Sequence, residues 1–195
     1  MKIALIKYNA GNIRSVAFAL ERLNVDFEIT DNVDTISNAD KVIFPGVGEA
    51  STTMKYLREK KLDQLIISLK QPVLGICLGM QLMCNFSEEN STKCLGIFDE
   101  TVKQFKPDKN HKVPHMGWNS LIDPKDWIDN RLTNQFVYFV HSYYVPLNPF
   151  TSATTDYTEP FSSAMKKNNF YAVQFHPEKS AKAGEVILES FFKVA

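Results

Sequence analysis

Cysteine is scarce in this chain: Cys77, Cys84 and Cys94 are the only three, an odd number with no C-x-x-C spacing. That pattern argues against a disulfide framework and fits reduced thiols in a cytoplasmic protein. An excess of one charge is also missing, since 22 Lys and Arg balance 22 Asp and Glu. A nucleic-acid binder should carry a basic excess or stripe, so that class is disfavoured. No apolar run approaches the roughly 20 residues of a membrane-spanning helix. The opening Met1-Lys2-Ile3-Ala4-Leu5-Ile6-Lys7 turns polar too quickly for a signal peptide. Internal repeats, low-complexity linkers, a Walker motif and a metal-ligand cluster are absent too, and no cofactor is expected.

What is present is an ordinary globular composition. The chain has 195 residues, 44% hydrophobic and 23% charged, which rules out wholesale disorder. At roughly 100–200 residues per domain, residues 1–195 read as a single domain. A chain of this size buries roughly 70% of its unfolded surface and needs no staples.

Short apolar runs at 3–6, 25–29, 42–44 and 73–76 predict buried strands. Between them, helical spacing predicts helices over 13–24, 50–70 and 78–86, the first preceded by turn chemistry and an N-cap in Asn9-Ala10-Gly11-Asn12. Alternating strands and helices predict an α/β fold of three layers, an open and mostly parallel sheet with helices on both faces. The second half is β-rich, with runs at 98–105, 113–121, 136–140, 163–166 and 170–175, and these predict antiparallel additions to the sheet. A last helix is expected over 183–193. The basic group Lys55, Arg58, Lys60 and Lys61 reads as a solvated helix face.

The sharpest motif is Gly75-Ile76-Cys77-Leu78-Gly79, which has the spacing of a nucleophile elbow. Such a strand-to-helix turn presents Cys77 at a helix N-terminus, where the dipole favours thiolate, and aims the Leu78 N–H where an oxyanion forms. Cys84 and Cys94, apolar-flanked or in a loop, read as structural. Of the histidines, His111 lies in a polar loop, and His115 and His141 sit among aromatic and apolar residues as satisfied core or surface groups. His176 differs, because it closes an apolar run and precedes Pro177, which favours extended backbone. Residues two apart then share a face, which places Glu178 beside it as the acid of a nucleophile–base–acid set. Pro45-Gly46-Val47-Gly48 ends the third strand at the same sheet edge as Cys77, the edge where open α/β sheets bind ligands.

These segments resemble the class I, triad-type glutamine amidotransferases. The signatures are Gly75-Ile76-Cys77-Leu78-Gly79-Met80-Gln81 and Phe175-His176-Pro177-Glu178. Further matches at Gly11-Asn12, Pro45-Gly46-Val47-Gly48, Ser87-Glu88-Glu89, Val113-Pro114-His115-Met116-Gly117-Trp118-Asn119, Tyr138-Phe139-Val140-His141-Ser142-Tyr143 and His176-Pro177-Glu178-Lys179-Ser180 resemble the branch that serves imidazole glycerol phosphate synthases. The resemblance implies that Cys77 attacks the glutamine side-chain amide, His176 moves protons and Glu178 orients it. Leu78 and Val47 then supply oxyanion N–H groups, and Gly46, Gln81, Glu89, His141, Ser142 and Tyr143 hold glutamine. Asn12, Trp118, Tyr138 and Lys179 match positions that face a (β/α)8-barrel cyclase in a heterodimer of histidine biosynthesis.

Departures from the family pattern are Lys7 and Asn9, where Asp and Gly are usual, and Cys94 in place of a glycine. Asn9 tolerates positive φ better than most residues, so the loop pattern is compatible. Neighbouring readings are a glutaminase feeding a sugar-modifying partner and the glutaminase subunit of pyridoxal phosphate synthase. A different Cys-His hydrolase needs no Pro-His-Met-Gly-Trp-Asn segment, and a flavodoxin-like binding module needs neither Cys77 nor His176-Pro177-Glu178.

Overall fold

The computed structural model describes residues 1–8 and 13–194. Alternation inside the short apolar runs sets the layers. In β1 (Lys2–Ile6), Ile3 and Leu5 pack into one hydrophobic cluster and Ala4 and Ile6 into another, and all four are buried. A strand with two buried faces belongs inside a covered parallel sheet.

Along the chain follow α1 (Ile13–Arg22), β2 (Asp26–Thr30), α2 (Val33–Ser37), β3 (Lys41–Phe44), α3 (Ala50–Glu59), α4 (Leu62–Ser68), β4 (Val73–Ile76) and α5 (Leu78–Leu82). The second half contributes β5 (Phe86–Ser87), β6 (Thr92–Lys93), β7 (Thr101–Gln104), β8 (His115–Ser120), β9 (Phe136–His141), β10 (Tyr143–Tyr144), β11 (Thr151–Asp156), β12 (Pro160–Lys167), β13 (Phe170–Val173) and α6 (Ala181–Lys193). The main sheet has seven strands in the order β11-β12-β13-β4-β3-β1-β2. Its strands from β13 to β2 run parallel, and β12 and β11 add antiparallel. Residues of α2, α3, α4 and α5 cover one face, and α1, α6 and β9 cover the other.

Three sequence expectations need correction. The helix expected over 50–70 is two helices, broken at Lys61 with φ +57°. At 100° per residue, Leu57 and Ile66 would stand about 180° apart on one continuous helix. The break lets both be buried in the same cluster. The helix expected over 78–86 stops at Leu82, and Phe86 begins β5. Its last carbonyls are claimed from outside: Leu95 N–H donates to Leu82, Ile97 to Met83 and Gly96 to Cys84, at 2.8–2.9 Å. The β-rich second half is also divided: β10-β7-β5-β6 and β8-β9 form separate small sheets, while β13 enters the main sheet in parallel. The Asn9-Ala10-Gly11-Asn12 turn and its N-cap lie outside the described residues. Among the described residues, no helix is long and apolar enough to cross a membrane.

Candidate active site

The neighbouring strands β4 and β13 deliver the chemistry to one edge. Val173 lies opposite Ile76, and the N–H of Cys77 donates to the Val173 carbonyl at 2.8 Å. Cys77 then turns sharply, with φ +52° and ψ −107°, a conformation that costs an L residue on the order of 1–3 kcal/mol. The surrounding packing enforces it. A Cβ on Gly79 would sit 2.1 Å from the Phe44 carbonyl oxygen, so only glycine lets α5 close onto β3. Because α5 spans only five residues, its dipole is smaller than the sequence suggested.

His176 and Glu178 follow β13. Pro177–Lys179 is a single 3-10 turn rather than extended chain, and the turn still brings His176 Nδ1 to 2.7 Å from Glu178 Oε1. Both side chains are only 1% exposed, so this pair is shielded from solvent screening. The turn is clamped from behind by α6: a Cβ on Gly184 would lie 1.8 Å from the Pro177 carbonyl oxygen. Burial by itself lowers the His176 pKa. The Cys77 thiolate and then the Glu178 carboxylate outweigh that burial and hold the ring up at about 10. The His176 ring is therefore held as an imidazolium beside Cys77.

A cavity of about 320 Å³ opens over Cys77. Leu78, Gln81, Glu89, His141, Ser142 and Tyr143 line it with Val47 and Cys77 itself, so eight of the sequence-identified residues converge there. Burial raises the Glu89 pKa, opposed by the Ala50 N–H that its Oε2 accepts at 2.8 Å. His141 is driven to a pKa of about 3, first by burial and then by repulsion from His115 and His176, so it is neutral. Its Nδ1 donates to the Tyr143 carbonyl at 2.7 Å and its Nε2 receives His115 Nδ1 at 3.0 Å. His115 itself is lowered to about 4, chiefly by burial.

Gly46 stands apart from that group. It lines a separate narrow crevice with Pro45, His176 and Glu178, and Val47 borders both spaces. The Gly46 carbonyl faces the Leu78 N–H. Pro45 is anchored in turn, since the buried Tyr8 hydroxyl donates to its carbonyl.

Trp118, Tyr138 and Lys179 gather on the outer face. Trp118 pairs with Tyr138 across β8-β9, their rings 6.0 Å apart, and Lys179 Nζ lies 5.6 Å over the Tyr138 ring. Met116, Trp118 and Phe136 are each more than half exposed on this hairpin. The hairpin is tied to the His176 turn, because His176 N–H donates to the Tyr138 carbonyl at 2.9 Å. Asn12 lies outside the described residues.

Sequence reasoning overlooked Gln174, fully buried with its amide 3.6 Å from Cys77 Sγ, and Tyr8. The available signal for Gln174 was a polar residue inside the apolar run 171–175, and the register of β13 against β4 sets it beside Cys77, each one residue past its strand. Cys84 and Cys94 are buried with thiol pKa values pushed up, mainly by burial. His111 pairs with Asp108 at the surface, and Lys55, Arg58, Lys60 and Lys61 are exposed. No group of three or more His, Cys, Asp or Glu side chains suited to a metal occurs among the described residues.

Known proteins resemble this chain along nearly its whole length. Residues 4–195 match the family model "Glutamine amidotransferase class-I". The imidazole glycerol phosphate synthase subunit HisH of Bacteroides fragilis is 60% identical over 196 residues, covering 100% of both chains. The subunit of the same name from Bacteroides thetaiotaomicron is 58% identical, covering 98% of each chain. A crystal structure of a glutamine amidotransferase shares the fold with a TM-score of 0.75 at 16% identity, covering 97% of each chain. The chain belongs to the class I glutamine amidotransferase family and, within it, to the HisH branch.

Proposed function

We propose that this chain hydrolyses glutamine to glutamate and ammonia through a Cys77-His176-Glu178 triad and passes the ammonia to a (β/α)8-barrel cyclase subunit in histidine biosynthesis, in the cytoplasm. The observation that carries this reading is the strained Cys77, which lines a cavity large enough for an amino acid, beside a buried His176–Glu178 pair.

In this mechanism the Cys77 thiolate attacks the side-chain amide carbon and pushes its electron pair onto the amide oxygen. Backbone N–H groups of Leu78 and Val47 receive that oxyanion. The His176 imidazolium gives its Nε2 proton to the departing nitrogen, and ammonia leaves as the thioester forms. The now neutral His176 takes a proton from water, whose oxygen attacks the thioester and restores the thiolate with release of glutamate. Glu178 holds the ring through Nδ1 throughout and balances its charge whenever it is an imidazolium. Glu89, Gln81 and the His141–Tyr143 segment grip the amino-acid end of glutamine.

Trp118, Tyr138 and Lys179 form the docking face for the barrel. An exposed aromatic cluster with a cation beside it is the composition of an interface hot spot. The identity to HisH subunits over the whole chain favours the histidine pathway over a sugar-directed paralogue. Reconstitution with a barrel cyclase tests the reading: glutamine-dependent formation of imidazole glycerol phosphate is expected. Glutamine hydrolysis with no transfer of ammonia to that acceptor would reject the pathway assignment.

A further inference from the structure

Cys77 has a neighbour that the triad does not use. Gln174 is fully buried and donates from its side-chain Nε2 to Cys77 Sγ at 3.6 Å. Its orientation is dictated by the next residue in a chain of bonds. Gln81 Nε2 donates to the Tyr143 carbonyl at 2.8 Å, and a carbonyl only accepts. The same nitrogen donates its second hydrogen to Gln174 Oε1 at 3.0 Å, which leaves Gln174 Nε2 for the sulfur. The backbone is pinned as well, with Cys77 N–H on Val173 and Gln174 N–H on Ser163, at 2.8 and 2.9 Å.

A polar side chain between Val173 and Phe175, both buried, is costly unless its groups are satisfied. A neutral thiol is a weak acceptor, whereas a thiolate is a strong one. We propose that Gln174 is a positioning residue for Cys77, whose amide N–H favours the thiolate and turns it toward the cavity, and which links that state through Gln81 to the Tyr143 wall of the substrate site. Unlike His176, Gln174 gives up no proton, so its contribution stays in place through both halves of the cycle. The proposal rests on Cys77 being the nucleophile.

The titratable groups around the sulfur are His176 after β13, backed by Glu178, and Tyr8 at the end of β1, with His141 and Glu89 on the cavity wall. All of them remain in Gln174→Met, which keeps the shape of the side chain and removes its donor. The test is the pH dependence of Cys77 alkylation by iodoacetamide, read by mass spectrometry, in the wild-type chain and in Gln174→Met. The midpoint is expected to rise by about one pH unit, and kcat with the barrel partner to fall about tenfold. An unchanged midpoint in a folded Gln174→Met protein overturns the proposal. A second measurement leaves Gln174 in place: its side-chain amide resonance is expected to titrate with Cys77 and to stop titrating in Cys77→Ala. A resonance indifferent to Cys77 overturns it equally. Failure of the nucleophile assignment shows in another assay, as glutaminase activity surviving in Cys77→Ala, and removes this proposal with it.

Discussion

The backbone carbonyl of Gly46 accepts a hydrogen bond from the backbone N–H of Leu78 at 3.3 Å. In the proposed mechanism Leu78 follows the nucleophile and its N–H receives the oxyanion, and that donor is here occupied by the protein itself. In a planar trans peptide the C=O and N–H point in opposite directions. With the Gly46 oxygen turned toward Leu78, the N–H of Val47 is turned away. One rotation of the Gly46–Val47 peptide would free the first donor and bring in the second. Tyr8 holds the preceding Pro45 carbonyl, which confines such a rotation to that peptide.

It follows that the isolated chain is expected to be a poor glutaminase, activated when the barrel partner holds its acceptor ligand. Losing one oxyanion donor costs ~10²–10³ in rate, or ~3–4 kcal/mol. A partner shifts the peptide only by binding the rotated state more tightly. Steady-state glutamine hydrolysis by the chain alone, with partner, and with partner plus acceptor analogue measures this. Equal rates in the first and last conditions would refute the gate.

Cys77 is expected to be the only thiol essential for turnover. Cys77→Ala removes the nucleophile and should abolish ammonia release, assayed with partner present. Cys84→Ala and Cys94→Ala, at buried sites outside the cavity, should cost modest stability and leave turnover near wild type. Substantial activity in Cys77→Ala contradicts the triad.

Trp118→Ala and Lys179→Ala are expected to weaken binding to the barrel subunit, because exposed aromatic and charged anchors dominate interfaces, at about 2 kcal/mol or more per truncation. Titration calorimetry reads the change. Since Tyr138 bonds through its carbonyl to the N–H of His176, coupling of glutamine hydrolysis to the partner should also fall. Unchanged affinity and coupling would place the interface elsewhere.

The histidines give stability a pH signature with two limbs. His141 and His115 have folded pKa values of about 3 and about 4, below the 6.5 of an unfolded histidine. Between those values the unfolded chain binds the extra protons, so stability falls as pH drops from about 6.5 toward 4. His176 behaves oppositely: raised to about 10, its contribution is complete below 6.5 and is lost as pH rises toward 10. Denaturant unfolding at pH 5, 6.5 and 8.5 should therefore show His176→Gln flattening the alkaline limb and His115→Gln the acid limb. A wild-type acid limb retained in full by His115→Gln would count against the buried neutral pair.

Local pattern made much of this molecule legible from its residues. Apolar runs such as 73–76 coincide with β4 because burial on both faces leaves a strand no polar alternation to display. The tight spacing around Cys77 and the His176-Pro177-Glu178 segment singled out two side chains 99 residues apart, the nucleophile and base of the proposed mechanism. Element ends were less legible. The stop of α5 at Leu82 depends on N–H groups from residues 95–98, and the break at Lys61 depends on which face the sheet offers. Neither is encoded in helical periodicity.

Length, neutral charge, strand order of burial and the two motifs are properties of neighbouring residues, and the sequence by itself determined them. Contacts across the sheet were decided only by tertiary structure. Setting β13 beside β4 brings Gln174 against Cys77, pairing β8 with β9 makes His115 the partner of His141, and the return of Pro45-Gly46 onto α5 closes the Gly46–Leu78 bond. The physical reason is that hydrogen bonds between distant segments depend on register, and register is set by how whole faces pack rather than by any local run of residues.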